Sequence, residues 1–152
     1  MSSDKFLAPV SGKILNILNM KDQPRVCIQM VLSVKKEYGL YLPMHGEVVN
    51  LEHNRSQRRW RFRKNLKNVL KKGTLFKFKS ENNLKWELQL IPCWLGLRPK
   101  LYLQNGDGGK TGANFGFFPF GGSVLIYLPT ECVVKVKKGD LVAAHETILA
   151  TV

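Results

Sequence analysis

Apolar and polar residues alternate along the chain in short runs that glycine and proline interrupt, a pattern typical of short β-strands. Residues 26–32 are almost continuously apolar, as expected for a strand buried on both faces. Residues 75–79 and 84–90 alternate around the polar stretch 80–83, which predicts a β-hairpin. Further strands are predicted at 12–18, 46–51, 101–103, 124–128, 133–136 and 147–152. The sequence therefore predicts a mainly β protein with a barrel or sandwich architecture.

Two segments repeat one local pattern. APVSGKILNI (8–17) and LPMHGEVVNL (42–51) share Pro-x-x-Gly-x-apolar-apolar-Asn-apolar. The segment 134–150 places a Lys-Lys-Gly-Asp turn between apolar strands, a layout similar to biotinyl and lipoyl domains. Those domains carry their modified lysine beside a methionine, and this turn has no Met-Lys pair. We therefore expect no covalently carried cofactor of that kind.

The overall composition is that of one folded domain. The chain has 152 residues, of which 44% are hydrophobic, so we expect a single domain over 1–152. It shows no signal peptide and no apolar run of about 20 residues, which predicts a soluble or peripheral protein without a transmembrane segment. The three widely spaced cysteines indicate free thiols in a reducing compartment, the cytoplasm or an organelle matrix. Their spacing and that of the three histidines predict no metal site.

Positive charge is concentrated in one part of the chain. The formal net charge is +13, and the stretch 51–80 contributes +10 of it, most of this in a basic insert at about 52–73. Arginine binds phosphate through paired donors, and tryptophan stacks on bases or lies at a lipid interface. The predicted polyanion-binding residues are Arg55, Arg58, Arg59, Trp60, Arg61, Phe62, Arg63, Lys64, Lys67, Lys71 and Lys72.

The chemistry of this segment leaves two anionic partners open. One is RNA, or a ribonucleoprotein assembly that includes other proteins; the other is an anionic phospholipid membrane. No RNA-binding signature of a known module is present in the sequence. Charge alone does not separate the two partners.

The C-terminal third carries a family pattern. An apolar strand is followed by Gly-Asp, two spaced glycines, Phe-Gly before an apolar strand ending in Leu-Pro, and a Val-x-Val-x-x-Gly-Asp-x-Val-x-x-x-Glu-Thr hairpin. The positions in register are Gly106, Asp107, Gly112, Gly116, Phe120, Gly121, Val124, Leu128, Pro129, Val134, Val136, Gly139, Asp140, Val142, Glu146 and Thr147. With 8–17 and 31–49, this resembles the phosphatidylserine decarboxylase family over nearly the whole chain, most weakly across 52–73. The resemblance implies a single-domain barrel-sandwich fold.

The resemblance also implies a reaction. Enzymes of this family cut their own chain at a Gly-Ser bond, and the serine becomes a pyruvoyl group that takes the substrate amine and serves as the electron sink for decarboxylation. An aspartate and a histidine act with that serine during self-cleavage.

This sequence departs from the family at each of those positions. The aspartate position holds Ser11, the two histidine positions hold Tyr38 and Tyr41, and the cleavage-site Gly-Ser is occupied by Gly121-Gly122. A tyrosine is a poor base at neutral pH, and glycine has no side chain to convert. These losses lead us to expect a catalytically inactive binding or structural subunit without a cofactor.

The alternative is an active enzyme that uses the next residue. Gly122-Ser123 is itself a Gly-Ser bond, so Ser123 is the fallback nucleophile and its product would be a pyruvoyl group. Such an enzyme would convert phosphatidylserine to phosphatidylethanolamine. Because side chains alternate along a strand, a shift by one residue turns the hydroxyl to the other face of the sheet.

Four further polar residues are expected in turns. His45 and His145 match no catalytic position of the family, so we expect them at the surface. Asp107 and Asp140 each follow a glycine, where an aspartate accepts hydrogen bonds from the turn backbone.

Overall fold

A computed structural model gives the structure of residues 5–20, 25–32, 39–54, 73–80, 83–92, 99–118 and 122–152. The predicted polyanion-binding residues (55–72), Tyr38 and Cys93 lie outside these ranges. Among the described residues the regular structure consists of β-strands. The strands are β1 (Lys5–Leu7), β2 (Gly12–Met20), β3 (Arg25–Leu32), β4 (Gly39–Tyr41), β5 (Gly46–Asn54), β6 (Gly73–Lys79), β7 (Lys85–Pro92), β8 (Lys100–Leu101), β9 (Gly108–Gly109), β10 (Asn114–Phe117), β11 (Gly122–Pro129), β12 (Val133–Val134), β13 (Leu141–Val142) and β14 (Ile148–Thr151).

These strands form one large antiparallel sheet and two small ones. The large sheet has the order β13-β2-β3-β11-β7-β6-β5-β9. The small sheets have the orders β1-β14-β12 and β4-β10-β8. The prediction of a mainly β fold is confirmed. Among the described strands the large sheet is open, with β13 and β9 at its edges, and does not close into a barrel.

The small sheets pack against one face of the large sheet. Phe6 of β1 and Phe115 of β10 belong to the same buried cluster as Ile14, Phe76 and Val124 of the large sheet. Aromatic rings make the contacts between the layers, with ring centroids 5.8 Å apart for Phe6 and Trp86 and 5.7 Å apart for Phe76 and Phe115. The core is thus the space between the inner face of the large sheet and the two small sheets.

The predicted strands agree with the structure except at their ends. β3 is buried on both faces, as its continuous apolar run predicts. The predicted hairpin is formed by β6 and β7, with Asn83 at φ 60° and the Leu84 N–H donating to Ser80 Oγ over 3.2 Å. The sequence pattern missed β1, β4, β9, β10 and β13, because two to four residues are too few to show an alternation.

Truncating the Phe76 side chain tests whether the layers depend on the aromatic core. Phe76 is fully buried against Phe78 and Phe115, so Phe76→Ala should lower the free energy of unfolding by about 3–5 kcal/mol. Val133→Ala, at a residue that is 56% exposed, is the control and should change it by less than about 0.5 kcal/mol. Urea unfolding followed by tryptophan fluorescence measures both, and equal losses would contradict this view of the core.

Candidate active site around Ser123

Ser123 lies at the start of a central strand of the large sheet. β11 pairs antiparallel with β3 on one side and with β7 on the other. Ser123 is opposite Val31 of β3 and Ile91 of β7. Val124, Ile126 and Leu128 of the same strand belong to the core, so Ser123 points to the other face of the sheet. We call this the outer face.

The Ser123 hydroxyl is buried and lacks a hydrogen-bond partner in the part of the chain that the structure describes. The residue is 0% exposed, and its Oγ finds no partner among the residues that the structure describes. Leaving a buried hydroxyl unpaired costs about 1–3 kcal/mol, so such groups are rare and often serve a chemical purpose. The oxygen is also close in the covalent chain to the Gly122 carbonyl carbon, since the two groups flank one peptide bond. No hydrogen bond from the described residues therefore holds Ser123 Oγ away from the peptide bond that precedes it.

Gly122 has no room for a side chain. A Cβ at this position would meet the carbonyl oxygen of Ile91 and would lie 2.7 Å from Cζ of Phe118. The family pattern places the reactive serine at this residue, but the structure leaves no space for a serine there. The hydroxyl nearest to this backbone is that of Ser123, one residue later and on the outer face.

A band of buried polar groups continues from Ser123 across the outer face. The Tyr127 hydroxyl donates to Gln89 Oε1 over 2.6 Å, and the Asn16 amide donates to Gln29 Oε1 over 3.1 Å. Gln29 and Gln89 lie on either side of Leu125, two residues along β11 from Ser123. Sequence reasoning missed this band. The signal was a single glutamine inside each of two apolar strands, which only the register brings together.

The ionisable side chains around Tyr127, at the end of this band away from Ser123, are either in an ion pair or neutral. Arg25 forms an ion pair with Glu87, and its guanidinium lies 5.0 Å from the centroid of the Tyr127 ring. Burial raises the pKa of the Cys27 thiol to about 12, while Arg25 opposes this rise. Burial also raises the pKa of Tyr127. Both side chains are therefore neutral at physiological pH.

The described residues at the other family positions cluster near a different hairpin. Ser11 Oγ accepts a hydrogen bond from the Ala144 N–H over 2.9 Å, and the Tyr41 ring lies 4.7 Å from the His145 ring, centroid to centroid. Ser11 precedes Gly12, which pairs with Leu32 at the same end of the sheet as Ser123. Since β3 separates β2 from β11, Ser11 and Ser123 are about 10 Å apart across the strands.

The remaining predicted polar residues are in turns. The Gln104 N–H donates to Asp107 Oδ2 and the Lys137 N–H donates to Asp140 Oδ2, each over 2.8 Å, which is the role expected for these aspartates. His145 is exposed, as expected, but its φ of 52° and its contact with Tyr41 were not foreseen. His45 is half-buried and donates its N–H to Thr111 Oγ1 over 2.8 Å. Within the described ranges no cluster of metal-ligating side chains is found.

A methyl group at Gly122 tests the lack of space beside Ser123. Gly122→Ala should lower the free energy of unfolding by about 1–3 kcal/mol, because the Cβ overlaps the Ile91 carbonyl oxygen and the Phe118 ring. Gly108→Ala is the matched control, since its Cβ would be 3.8 Å from the Gly46 carbonyl oxygen, an ordinary contact. Chemical denaturation measures both variants. A Gly122→Ala protein as stable as the control would show that the position accepts a side chain.

Several known proteins are similar to this chain along most of its length. No protein-family model matches it. The phosphatidylserine decarboxylase proenzyme of Nitrosomonas europaea is 30% identical, over 95% of this chain and 68% of the relative. The proenzymes of the same name from Pelodictyon phaeoclathratiforme and Oleidesulfovibrio alaskensis are 28% and 24% identical, over 95% of this chain and 69% and 67% of the relatives.

These relatives correct one expectation and confirm another. Because they are named as enzyme precursors, the expectation that this chain is a catalytically inactive protein is wrong. The assignment of Ser11, Tyr38, Tyr41 and Gly122 to family positions stays a prediction. The resemblance to the phosphatidylserine decarboxylase family, predicted from the glycines and the C-terminal hairpin, is confirmed by the sequence identity to these relatives over nearly the whole chain. The chain belongs to the phosphatidylserine decarboxylase family.

Proposed function

We propose that the chain is a pyruvoyl-dependent phosphatidylserine decarboxylase that cuts itself between Gly122 and Ser123. The observation that carries this proposal is the Ser123 hydroxyl, which is fully buried, has no partner among the described residues, and is next to a glycine that has no space for a side chain. The relatives named as proenzymes of this decarboxylase support the same reading.

Self-cleavage needs only groups of the chain and one water molecule. Ser123 Oγ attacks the Gly122 carbonyl carbon, and its proton passes to the Ser123 nitrogen as the C–N bond breaks, which leaves an ester. Loss of the Ser123 Cα proton then breaks the Cβ–Oγ bond and releases Gly122 as a carboxylate. Water hydrolyses the remaining end of the second fragment to a pyruvoyl group and ammonia. A side chain on residue 122 would crowd the carbon that is attacked, so the glycine favours the first step.

The residues around Ser123 fit a pyruvoyl group. It would form the first residue of the C-terminal fragment, between Val31 of β3 and Ile91 of β7. The group supplies an electrophilic carbonyl that accepts electrons during decarboxylation. The pairing of β11 with both neighbours would hold the fragment in the sheet after the cut, because the pairs from residue 123 onward persist, seven with β3 and five with β7.

The proposed substrate favours a membrane over RNA as the partner of the basic segment. Phosphatidylserine is an anionic phospholipid, and Lys and Arg near an anionic bilayer each add about 1 kcal/mol of attraction. The residues from Arg55 to Lys72 would supply that attraction. Within the described part of the chain no helix is long and apolar enough to span a membrane. The free, buried thiols of Cys27 and Cys132 support a reducing compartment.

Intact mass spectrometry tests self-cleavage. The purified chain should separate into fragments 1–122 and 123–152 under denaturing conditions, with a pyruvoyl group at the start of the second. Ser123→Ala should remain one chain, and Ser123→Cys should still be cut, because a thiolate also attacks an adjacent carbonyl. An uncut parent chain after long incubation, or the same cut in Ser123→Ala, would refute Ser123 as the nucleophile.

Conversion of the lipid tests the decarboxylation itself. The cut protein should convert phosphatidylserine in mixed micelles to phosphatidylethanolamine and carbon dioxide, as followed by chromatography of the lipid. The uncut Ser123→Ala protein should show no turnover, because it lacks the electrophilic carbonyl. A cut protein that gives no phosphatidylethanolamine would leave the self-cleavage standing and overturn the assigned substrate.

A further inference from the structure

One row of side chains joins the exposed edge of the large sheet to Ser123. In the strand register Leu141 of β13 is opposite Lys13, Lys13 is opposite Val31, and Val31 is opposite Ser123. Residues directly opposite each other in an antiparallel pair share a face of the sheet. All four therefore lie on the outer face, and the row spans three strand spacings of about 4.8 Å each, or about 14 Å.

Exposure falls steadily along this row. Leu141 is 81% exposed, which is the largest value among the large apolar side chains of the described residues. Lys13 is exposed, Val31 is half-buried, and Ser123 is 0% exposed. The row thus runs from solvent at the sheet edge to the buried hydroxyl. Leu141 is thus an apolar side chain open to solvent at the outer end of this row.

The turn that carries Leu141 is held firmly against β2. The Gly139 N–H donates to the Ile14 carbonyl over 2.8 Å, and the Ile14 N–H donates to the Asp140 carbonyl over 2.9 Å. The Asp140 side chain accepts the Lys137 N–H inside the turn. Leu141 is therefore presented by an ordered backbone.

Three lysines accompany the exposed leucine. Lys13 is opposite it in the strand register, Lys137 and Lys138 are in the turn that precedes it, all three are exposed, and among the described residues none of the three forms an ion pair. Asp140, the acid of this turn, accepts the Lys137 N–H with its carboxylate. An exposed apolar side chain with lysines on the neighbouring strand and turn complements an anionic lipid surface, where the leucine enters the acyl boundary and the lysines contact phosphates.

We propose that Leu141, Lys13, Lys137 and Lys138, which we call the docking edge, bind the surface of an anionic bilayer. Docking there places the solvent end of the row that leads to Ser123 next to the membrane. This inference rests on the proposed function, since it names the surface from which that site takes its substrate.

A second exposed apolar residue on the outer face provides a comparison. Val49 of β5 is 57% exposed and lies near Lys77, Lys79 and Lys85 in a cleft of about 360 Å³. Glu87 lines the same cleft and Glu47 is opposite Lys79, so the charges there are mixed. Asn50, the residue after Val49, is opposite Lys77, and the same row of opposite residues continues through Glu87 to Tyr127. Tyr127 is four residues from Ser123 along β11. Val49 therefore lies as many strands from β11 as Leu141 but outside the row.

Vesicle co-sedimentation of the Ser123→Ala protein tests the docking edge. Vesicles of phosphatidylcholine with phosphatidylglycerol contain no substrate, so binding is measured apart from self-cleavage and turnover. We expect Leu141→Ser to weaken binding about tenfold or more. Lys137→Gln with Lys138→Gln should weaken it about fivefold for each lysine, and added salt should weaken the parent. Val49→Ser is the matched control and should bind as the parent does.

The outcomes separate this inference from the proposed function. Binding within twofold of the parent in both docking-edge variants would overturn it. Equal binding of the parent to vesicles of phosphatidylcholine alone would also overturn the inference. A loss of binding that appears only in Val49→Ser, or only when Arg58, Arg59, Arg61 and Arg63 are changed to serine, would do the same. An unchanged thermal midpoint of Leu141→Ser shows that the exposed side chain was removed without unfolding. Failure of the Ser123 cut leaves these binding results unaffected.

Discussion

The pairing of β11 with strands on both of its sides is the constraint on which the rest of the structure depends. Seven residue pairs join it to β3 and six join it to β7, and both faces of the strand are buried. A slip of one residue would exchange Val124, Ile126 and Leu128 with the outer face and break the core between the sheets. The register is therefore fixed, and with it the burial, the direction and the neighbours of Ser123.

The same pairing explains why a glycine precedes the serine. In β7 the Ile91 carbonyl oxygen lies so close to Gly122 that a Cβ on residue 122 would overlap it. The same Cβ would also overlap the Phe118 ring. The position that the family resemblance predicts for the nucleophile is thus sterically closed, while the next position holds a hydroxyl with no partner among the described residues. The sequence named both positions, but the lack of space at Gly122 is visible only when the neighbouring strands are in place.

The outer face of the sheet buries several polar groups around β11. Gln29, Gln89 and Tyr127 are buried there, and the buried hydroxyl of Ser123 lies at the start of the strand. Burying polar groups costs free energy unless they are hydrogen-bonded, so the Tyr127–Gln89 bond offsets part of that cost.

The sequence by itself determined the mainly β fold, the two-sided burial of β3, the β6–β7 hairpin, and the family, because alternation, turn glycines and motif spacing are local properties. It also marked Ser123 as the fallback nucleophile. It could not determine the lack of space at Gly122, the opposition of Gln29 and Gln89 across Leu125, or the row from Leu141 to Ser123. Each of these depends on which strands lie side by side and in what register, and that is decided by packing between residues far apart in the chain.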